Sequence, residues 1–517
     1  MKLINFSNEK DLFAGKGYRL PEYDRDKLKK NTDLAPAWVH FGAGNIFRAF
    51  PAAVLQRLLN KGIYDKGIIV GEGFDYEIIE KAYKPYDSLS LLVTLKADGA
   101  IDREIIGSVV RAVCADEGYA ADWNGLCGIF SMPSLQMVSF TITEKGYAPF
   151  KNGIMEKTTR LLLKRFEAGA YPIAMVSMDN CSHNGDKLKS AVLACAETLV
   201  KEGTAPAEFV EYLENPAKVS FPWSMIDKIT PRPDAKVQEL LKADGFEDGG
   251  LIVTGKNTYT SAFVNAEEVQ YLVIEDAFPN GRPPLEEGGI YFTDRATVDK
   301  VEKMKVCTCL NPLHTALAIY GCLLGHTLIC EEMKDEPLKK LVYRLGYAEG
   351  LPVVVNPGIV NPRTFIDEVF YKRLPNPFMP DTPQRIATDT SQKLPIRFGE
   401  TIRSYREKSL PLTELKAVTL VIAGYLRYLT GIDDSGRVFE PSSDPMLSEL
   451  REYVKEIMPG QGGLSDRQKE KVTELLCRSD VFGVDLCEAG LADRIIGVFE
   501  ELLAGTGIIR AVISRNI

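Results

Sequence analysis

The densest polar chemistry in the sequence lies in an otherwise apolar helical run near residue 310. Lys305, Asn311 and His314 stand there among leucine, valine and alanine residues, so they must be satisfied inside the protein or face a cleft. A lysine beside apolar neighbours has a lowered pKa and can act as a base at neutral pH. Asn311 can donate a hydrogen bond to a developing oxyanion, and His314 can orient a substrate oxygen or donate to it. The cluster therefore favours proton transfer at a C–O group.

The same segment also has a purely structural interpretation. Asn311 could cap a helix whose first residue is Pro312, and Gly325 could end that helix. Capping would account for Asn311, but it leaves Lys305 and His314 unexplained. Both interpretations of Asn311 stay open from the sequence.

A glycine-rich turn follows the first apolar strand, in the segment WVHFGAGNIFRAF. Gly42 can form a tight turn, and Gly44 lets the backbone approach a pyrophosphate at the N-terminus of the next helix. Phe47 replaces the third glycine of the usual G-x-G-x-x-G pattern, so an ordinary strand-to-helix turn is the alternative. The strand before and the helix after the turn favour dinucleotide binding. The predicted cofactor-binding residues of this segment are Gly42, Ala43, Gly44, Asn45, Ile46, Phe47 and Arg48.

The second strand ends in an acidic loop, GIIVGEGFD. Glu72 or Asp75 could accept hydrogen bonds from the adenosine ribose, and the loop contains no arginine. A carboxylate at this position repels a 2′-phosphate, which favours NAD over NADP. A solvated acidic loop is the alternative.

These residues need two kinds of scaffold. Up to about residue 290, short β-rich runs alternate with helical patterns, which predicts βαβ units and a mainly parallel sheet. Beyond that point, long segments with helical apolar periodicity dominate. We therefore expect an α/β, Rossmann-like N-terminal domain over residues 1–290, with an arm at 1–35, and a mostly α-helical C-terminal domain over 291–517. The Gly- and Pro-rich segment Gly281–Gly289 is the predicted connection.

Composition is that of a large globular protein. The chain has 517 residues, 45% of them apolar, and 62 basic against 71 acidic residues give a net charge of −9. This length predicts at least two domains, and the acidic balance argues against nucleic acid or an anionic membrane as the main partner. The N-terminus lacks the apolar run of a signal peptide, and the stretch Ala316–Cys330 is too short to span a membrane. We therefore expect a cytoplasmic protein, whose oligomeric state is not readable from the sequence.

Cysteine and histidine usage predicts no metal site. Ten cysteines are scattered without a disulfide framework, which indicates reduced thiols. The pairs Cys307 and Cys309, and Cys181 and His183, could suggest zinc. However, C-x-C on a helix directs its thiols to different faces, and the chain has no C-x-x-C or H-E-x-x-H pattern. His40, in the first strand, is interpreted as structural.

Further segments make a family resemblance specific. The glycine-rich turn followed by Arg-Ala, and the later Lys, Asn and His, resemble the polyol-specific long-chain dehydrogenase/reductase family, which includes the mannitol dehydrogenases. Four more segments are similar to that family, in order along the chain: Val138–Tyr147 ending in T-E-K-G-Y, Ser177–Gly185 with S-M-D-N and N-G, Met225–Pro231 with I-D-K-I-T-P, and Arg385–Pro395 with S-Q-K-L-P.

The resemblance implies an NAD-dependent oxidoreductase that acts on a small sugar acid or polyol without a metal. Lys305 is then the general acid/base. Asn180 and Asn311 hold the developing alkoxide, and His314 hydrogen-bonds the same oxygen or its neighbour. Glu302, one turn before Lys305, matches a carboxylate on the path of proton exit. The positions that line the substrate are Asp227, Arg385 and Lys393.

Within the family, the segment CLNPLHTALA favours interconversion of a keto-sugar acid and its aldonate, with polyol oxidation as the alternative. A sugar acid handled by a chain at −9 needs local positive charge, which we expect at Lys305, Arg385 and Lys393. A non-catalytic NAD-binding sensor on the same scaffold is an alternative from another class. A sensor needs the nucleotide turn but no proton-transfer residues, so the Lys, Asn and His set argues against it.

The spacing of the cluster departs from the family. The family usually has K-x4-N-x2-H, whereas five residues separate Lys305 from Asn311 here. One extra residue would turn Lys305 by about 100° around a regular helix, away from Asn311 and His314. A π-bulge can absorb such an insertion, and these bulges are common at functional sites. The assignment of Lys305 therefore predicts a wide turn between Val306 and Leu310.

Overall fold

The computed structural model describes all 517 residues, and the chain forms two compact units. Unit 1 comprises Met1–Lys96 and Ala100–Asp299, and unit 2 comprises Ala97–Gly99 and Lys300–Ile517. The domain boundary predicted at residues 290 and 291 stays a prediction, because compactness does not test which part folds independently.

Unit 1 contains every strand of the protein. In chain order the strands are β1 (Trp38–Phe41), β2 (Ile68–Glu72), β3 (Ser90–Leu95), β4 (Ile101–Ile106), β5 (Val109–Cys114), β6 (Met137–Phe140), β7 (Ile173–Ser177), β8 (Val219–Ser220), β9 (Ser224–Asp227), β10 (Ile252–Val253), β11 (Tyr259–Thr260), β12 (Phe263–Glu267), β13 (Tyr271–Glu275) and β14 (Tyr291–Thr293).

The main sheet of unit 1 has six strands in the order β5-β2-β1-β6-β7-β8, and every neighbouring pair is parallel. Successive residues of β1 enter two different cores: Trp38 packs on one face of the sheet and Val39 on the other. Helices cover both faces, which is why the strands are largely apolar instead of alternating regularly with polar residues. Two three-stranded sheets, β12-β3-β4 and β14-β13-β9, and the β10-β11 ladder complete the unit.

Helices connect and cover these strands. Those of unit 1 are α1 (Phe6–Gly15), α2 (Arg25–Leu34), α3 (Asn45–Ala49), α4 (Pro51–Asn60), α5 (Ala120–Phe130), α6 (Ile154–Glu167), α7 (Asn184–Lys201), α8 (Glu208–Glu214) and α9 (Ala235–Ala243). The next helix, α10 (Arg295–Lys303), contains the point at which the two units divide.

Unit 2 is helical. Its helices are α11 (Asn311–Leu324), α12 (Ile329–Glu332), α13 (Glu336–Tyr343), α14 (Pro362–Glu368), α15 (Pro383–Ile386), α16 (Thr390–Leu394), α17 (Glu400–Glu407), α18 (Lys416–Leu429), α19 (Leu447–Glu452), α20 (Asp466–Leu476), α21 (Ser479–Phe482), α22 (Ala492–Leu502) and α23 (Ile509–Asn516). Four π-helical turns interrupt them, at Met304–Cys309, Arg344–Gly350, Val369–Arg373 and Pro395–Gly399.

The core of unit 2 forms around α18, which is buried from Ala417 to Leu429. It packs against α11, and the Tyr320 hydroxyl of α11 donates a hydrogen bond of 2.6 Å to the Leu420 carbonyl. A helix that is apolar on all sides belongs inside a large core. The predicted fold class, an α/β Rossmann-like part with a mainly parallel sheet followed by a mostly helical part, is confirmed.

Three local predictions were wrong. Residues 1–35 form helices α1 and α2 instead of an extended arm, because Phe6 and Phe13, seven residues apart, share one buried helical face. The β-rich run Ile105–Val113, which the sequence predicts as one strand, is divided between β4 and β5. The segment Gly281–Gly289 is not an open connection, because Leu285 is buried in a core of unit 1 and the Gly288 carbonyl accepts a hydrogen bond from Arg57 in α4.

The expectation of reduced thiols is wrong for one pair, since Cys477 and Cys487 of unit 2 are joined by a disulfide bond. The other eight cysteines are free, as predicted. One helical stretch, Arg295–Leu324, is long and apolar enough to cross a membrane by length and composition alone, and 78% of its most apolar window is buried inside the protein. Buried core helices pass the same test, so this is weak evidence for a membrane span.

Candidate active site

The turns that follow four strands of the main sheet lie side by side at one edge of unit 1. A Cβ added to Gly42 would overlap the Thr141 carbonyl, so the turns after β1 and β6 are in close contact. The Ala43 amide donates to the Glu72 carboxylate over 2.9 Å, which joins the turns after β1 and β2. The connection from β1 leads to β2 on one side, whereas β6 lies on the other, so the strand order reverses beside β1. Ligands of parallel α/β sheets bind at such a switch point.

The glycine-rich turn has the predicted form. Gly42 adopts a φ of 105°, a conformation that only glycine takes easily. Gly44 precedes α3, and a Cβ added there would meet no atom within 4 Å. Packing within the protein therefore does not require glycine at position 44, whereas close approach of a dinucleotide to this backbone does. The turn fits the pyrophosphate of a dinucleotide.

The end of the glycine-rich segment points into the core of unit 1. Phe47 is fully buried and stacks on the His40 ring with 4.1 Å between centroids. The Arg48 guanidinium is also buried and donates to the Thr260 hydroxyl and to the Ala262 carbonyl over 3.2 and 3.1 Å. The helix predicted to follow the turn is two helices, because Pro51 begins α4 after a break at Phe50.

His40 has the structural role expected of it. Its two ring nitrogens lie 2.6 Å from the Ser139 hydroxyl and 2.9 Å from the Thr141 hydroxyl. Burial lowers the pKa of His40 to about 3, so the ring is neutral at physiological pH.

Glu72 and Asp75 are both buried at the end of β2. The Glu72 carboxylate accepts hydrogen bonds from the amides of Ala43, Phe74 and Asp75, at 2.9, 2.9 and 3.1 Å. Burial nevertheless raises the pKa of Glu72 above its ordinary value, because desolvation outweighs these bonds. Asp75 accepts from the Thr254 hydroxyl over 2.6 Å. Both predicted ribose acceptors therefore also have structural bonds, and Glu72 holds the glycine-rich turn in place.

Asn180 lies in the exposed loop after β7, and its neighbour Asp179 positions that loop. The Asp179 carboxylate accepts from the amides of Ile142 and Thr143, at 2.9 and 3.0 Å, and from the Tyr147 hydroxyl at 2.7 Å. The S-M-D-N segment is thereby tied to the T-E-K-G-Y segment after β6. The same edge of the sheet thus carries Asn180 together with the glycine-rich turn.

Asn184, which with His183 could form a simple polar turn by sequence alone, has a structural role. Asn184 is fully buried at the start of α7, and its amide nitrogen donates to the Asp179 and Ser224 carbonyls, each at 3.0 Å. Its amide oxygen accepts from the Ser224 amide at 3.0 Å. These bonds connect the loop of Asn180 to β9, which ends in the predicted substrate residue Asp227, itself buried.

In unit 2, Lys305 lies on a π-helical turn that spans Met304–Cys309. The wide turn predicted from the spacing of Lys305 and Asn311 is therefore present. The Leu310 amide donates to the Lys305 carbonyl over 3.1 Å, the five-residue step that defines a π-turn. Lys305 is buried, with 4% of its surface exposed, whereas Lys303 is exposed. Glu302 precedes the turn on α10 and is half-buried.

Helix α11 presents Asn311 and His314. The capping interpretation of Asn311 is wrong, because Leu310 is the N-cap and Asn311 is the first helical residue. Its Pro312 neighbour lies in the first turn and Gly325 ends the helix with a φ of 75°, as expected. Helix capping therefore does not account for the amide side chain of Asn311.

The surroundings of His314 are strongly charged. Its Nε2 lies 3.9 Å from a carboxylate oxygen of the buried Asp381, which also pairs with Arg385. Burial holds the pKa of His314 well below its usual value, and the positive charges of Arg373, Arg397 and Arg385 lower it further, against the effect of Asp381. The imidazole is therefore neutral at pH 7 and can donate one hydrogen bond.

Lys393 lies on α16, and its ammonium group donates to the carbonyls of Ile386, at 3.0 Å, and Thr388. Burial, with the nearby charge of Arg397, lowers the pKa of Lys393 to about 8. Arg385 has 63% of its side chain exposed. The structure thus brings the predicted cations Arg385 and Lys393 into one charged cluster with His314.

Three members of this cluster were missed in the sequence: Arg373, Asp381 and Arg397. Arg373 and Arg397 each lie on a π-helical turn, at Val369–Arg373 and Pro395–Gly399. Arg397 stands four residues after Lys393, one helical turn away, and this spacing was the signal available in the sequence.

The Cys309 thiol donates to the Pro362 carbonyl over 3.8 Å. The one group of three close potential metal ligands comprises Cys477, Asp485 and Cys487, and its two thiols form the disulfide bond.

A parallel sheet with a glycine-rich turn at its switch point, and a helical unit with Lys, Asn and His at the start of one helix, are the features of a dinucleotide-dependent oxidoreductase. Comparison with known proteins makes the class specific. The Rossmann-domain model of mannitol dehydrogenase matches residues 36–287, and the model of its C-terminal domain matches residues 297–503. The chain belongs to the mannitol dehydrogenase family, which confirms the resemblance seen in the sequence.

Several relatives extend over nearly the whole chain. It is 51% identical to the D-mannonate oxidoreductase of Thermotoga maritima, with 96% of each chain covered. It is 28% identical to a mannitol 2-dehydrogenase of Cereibacter sphaeroides, over 91% of this chain and 93% of the relative. Among solved structures, a D-sorbitol dehydrogenase matches with a TM-score of 0.78 and 25% identity, over 96% of this chain and 97% of that one. The mannitol 2-dehydrogenase of Pseudomonas fluorescens, solved with NAD and D-mannitol, shares the fold with a TM-score of 0.66 and 23% identity, over 100% and 99%.

Proposed function

We propose that the protein catalyses the NAD-dependent interconversion of D-fructuronate and D-mannonate. The observation that carries this proposal is the group of cations around His314, namely Arg373, Arg385 and Arg397, in a chain whose net charge is −9. A local positive field suits a substrate that bears a carboxylate. The 51% identity to a D-mannonate oxidoreductase supports the same substrate class.

The proposed roles of the residues follow from their chemistry. Reduction of the keto group requires a hydride, which bound NADH supplies, and a proton at the oxygen. Lys305 donates that proton, and Glu302 connects it to solvent. Asn311 and the neutral imidazole of His314 donate hydrogen bonds to the same oxygen, which stabilises its developing negative charge.

The remaining roles follow from the family resemblance. Asn180 is a further proposed donor to the alkoxide oxygen. Asp227, Arg385 and Lys393 line the substrate chain. The glycine-rich turn holds the pyrophosphate of NAD, and Glu72 and Asp75 disfavour a 2′-phosphate by their charge. No metal takes part in this proposal.

Mannitol 2-dehydrogenase activity is the second candidate, with tagaturonate reduction after it. The 28% identity to the mannitol 2-dehydrogenase of Cereibacter sphaeroides favours the former. A sensor that binds NAD without turnover is the candidate from outside the enzymes. A cytoplasmic location and a role in hexuronate and carbohydrate metabolism follow as predictions of the proposed activity.

The test is a parallel assay of NADH oxidation with D-fructuronate, D-tagaturonate and D-fructose. We expect the highest kcat/KM with D-fructuronate. Turnover of fructose alone would replace the proposal with mannitol 2-dehydrogenase activity, and no turnover with any substrate would favour the sensor.

The role of Lys305 is tested by Lys305→Ala, with Lys303→Ala as the matched control. General acid/base catalysis contributes about 10²- to 10⁴-fold, so Lys305→Ala is expected to lower kcat by that factor while NADH affinity is unchanged. Lys303 is exposed, and its replacement is expected to change kcat less than about threefold. Unaltered turnover in Lys305→Ala would remove Lys305 from the mechanism.

A further inference from the structure

Arg397 is a cation of unit 2 that has no carboxylate partner. It lies on the π-helical turn Pro395–Gly399, and its one hydrogen bond goes to the hydroxyl of Thr315. Thr315 is the neighbour of His314 on α11. The charge of Arg397 lowers the pKa of both His314 and Lys393, so its guanidinium lies near both of them.

The other basic groups of this region are already engaged. Arg385 pairs with Asp381, and Lys393 donates to two carbonyl groups. Arg403, on the next helix, pairs with Glu400 over 2.6 Å and donates to the Gly483 carbonyl. Arg397 therefore differs from its neighbours in that most of its five N–H donors have no acceptor in the protein.

A half-buried guanidinium without a counter-charge is costly to the folded protein. Burial lowers the pKa of Arg397 to about 10, which reflects that cost while leaving the group charged at neutral pH. A protein can tolerate this desolvation cost where the charged group binds an anionic ligand. The planar guanidinium matches a carboxylate in particular, because two parallel N–H···O bonds can form.

The backbone around Arg397 is held firmly in place. A Cβ added to Gly399 would overlap the Phe482 carbonyl, and one added to Gly483 would lie 2.8 Å from the Pro395 carbonyl. The π-turn is thus clamped against α21 and the residue after it. A π-turn at this point sets the direction of the Arg397 side chain toward Thr315.

We infer that Arg397 is a specificity-determining residue that binds the terminal carboxylate of a sugar-acid substrate through two charge-assisted hydrogen bonds. This inference rests on the proposed function and adds the group that distinguishes an acid from a polyol. Thr315 holds the guanidinium in position, and His314, next to it, addresses the reacting oxygen at the other end of the substrate.

The test compares Arg397→Gln and Arg397→Lys with the wild-type enzyme, with D-fructuronate and NADH as substrates. Truncating one partner of a buried charge pair typically costs about 2–5 kcal/mol, so Arg397→Gln is expected to lower kcat/KM about 30-fold or more, mainly through KM. Arg397→Lys keeps the charge but loses the pair of parallel N–H donors, and a kcat/KM between those of wild type and Arg397→Gln is expected. The KM for NADH should stay unchanged in both variants.

Arg403→Gln is the matched control, because Arg403 supports the same clamp through Gly483 without facing Thr315. It is expected to lower the melting temperature while leaving the KM for D-fructuronate within about threefold of wild type. Equal increases of KM in Arg397→Gln and Arg403→Gln would indicate a purely structural role and overturn the inference.

The outcomes distinguish failure of the proposed function from failure of the inference about Arg397. A wild-type enzyme that turns over no sugar acid overturns the proposed function. A wild-type enzyme that turns over D-fructuronate, with an Arg397→Gln variant of unchanged KM, overturns the inference about Arg397 and leaves the proposed function intact.

Discussion

The π-helical turn at Met304–Cys309 leads to a prediction about the number of residues between Lys305 and Asn311, and not about the identity of their side chains. If the turn exists to absorb one extra residue, deletion of Cys307 restores the spacing K-x4-N and converts the turn to regular α-helix. Cys307 is half-buried, so its removal is tolerable for packing. If Lys305 is the general acid/base, this spacing should keep it near Asn311 and His314, and we expect kcat within about tenfold of wild type, a modest loss for a deletion in a helix.

A second deletion should have a far larger effect. Removing both Val306 and Cys307 rotates Lys305 by about 100° around α11, and its Cα moves by about 3.8 Å, as follows from a helix radius of about 2.3 Å and a rise of about 1.5 Å. A misplacement of about 1 Å can already cost about 100-fold in rate. The double deletion is therefore expected to fall to the activity of Lys305→Ala, about 10²- to 10⁴-fold below wild type.

The assay is steady-state oxidation of NADH with D-fructuronate, accompanied by NADH affinity and melting temperature for each variant. Cys307→Ala controls for loss of the thiol side chain and should resemble wild type. The reasoning is refuted if the single deletion is as inactive as Lys305→Ala while it folds and binds NADH normally. A double deletion that retains wild-type turnover would exclude Lys305 as the proton donor.

Two further predictions concern pH. Lys393 is charged below its pKa of about 8 and loses that charge above it, so the KM for D-fructuronate should rise about tenfold between pH 7 and 9. Lys393→Arg stays protonated throughout this range and should abolish the rise; a rise of equal size in that variant would contradict the assignment. His40 has a pKa of about 3 in the folded protein against 6.5 for the free side chain, so the unfolded chain binds the extra proton as pH falls through this window. Stability from His40 is therefore complete above pH 6.5 and about 2 kcal/mol smaller at pH 5, because pH 5 lies about 1.5 pH units below the pKa of the unfolded chain. Comparing denaturant midpoints at pH 7 and 5 for wild type and His40→Asn checks this, and identical pH dependence in the two proteins would refute it.

Much of the fold and part of the site could be predicted because the signals were local. The alternation of strands and helices indicated the parallel sheet, and counting residues between Lys305 and Asn311 indicated the wide turn. The glycine-rich turn was recognisable because its two glycines follow an apolar strand directly.

The remainder depends on contacts between residues far apart in the chain. The position of Arg397 beside His314 is apparent only from its hydrogen bond to Thr315, which lies 82 residues earlier. In the sequence Asn184 resembles part of an ordinary polar turn, and only its hydrogen bonds to Asp179 and Ser224 show its structural role. The helices of residues 1–35 were missed because their apolar positions are too few to give strong periodicity without the surfaces they cover.

The bonds of Glu72 bear on how the cofactor preference of this enzyme could be redesigned. Exchanging the acidic residue after the second strand is the obvious route from NAD toward NADP. Here that exchange would also release the Ala43, Phe74 and Asp75 amides and loosen the phosphate turn itself. The neighbouring Phe74 side chain is 65% exposed, and Lys256 already donates to its carbonyl over 2.6 Å. A basic residue at position 74, with Glu72 retained, would separate recognition of the ribose from support of the turn.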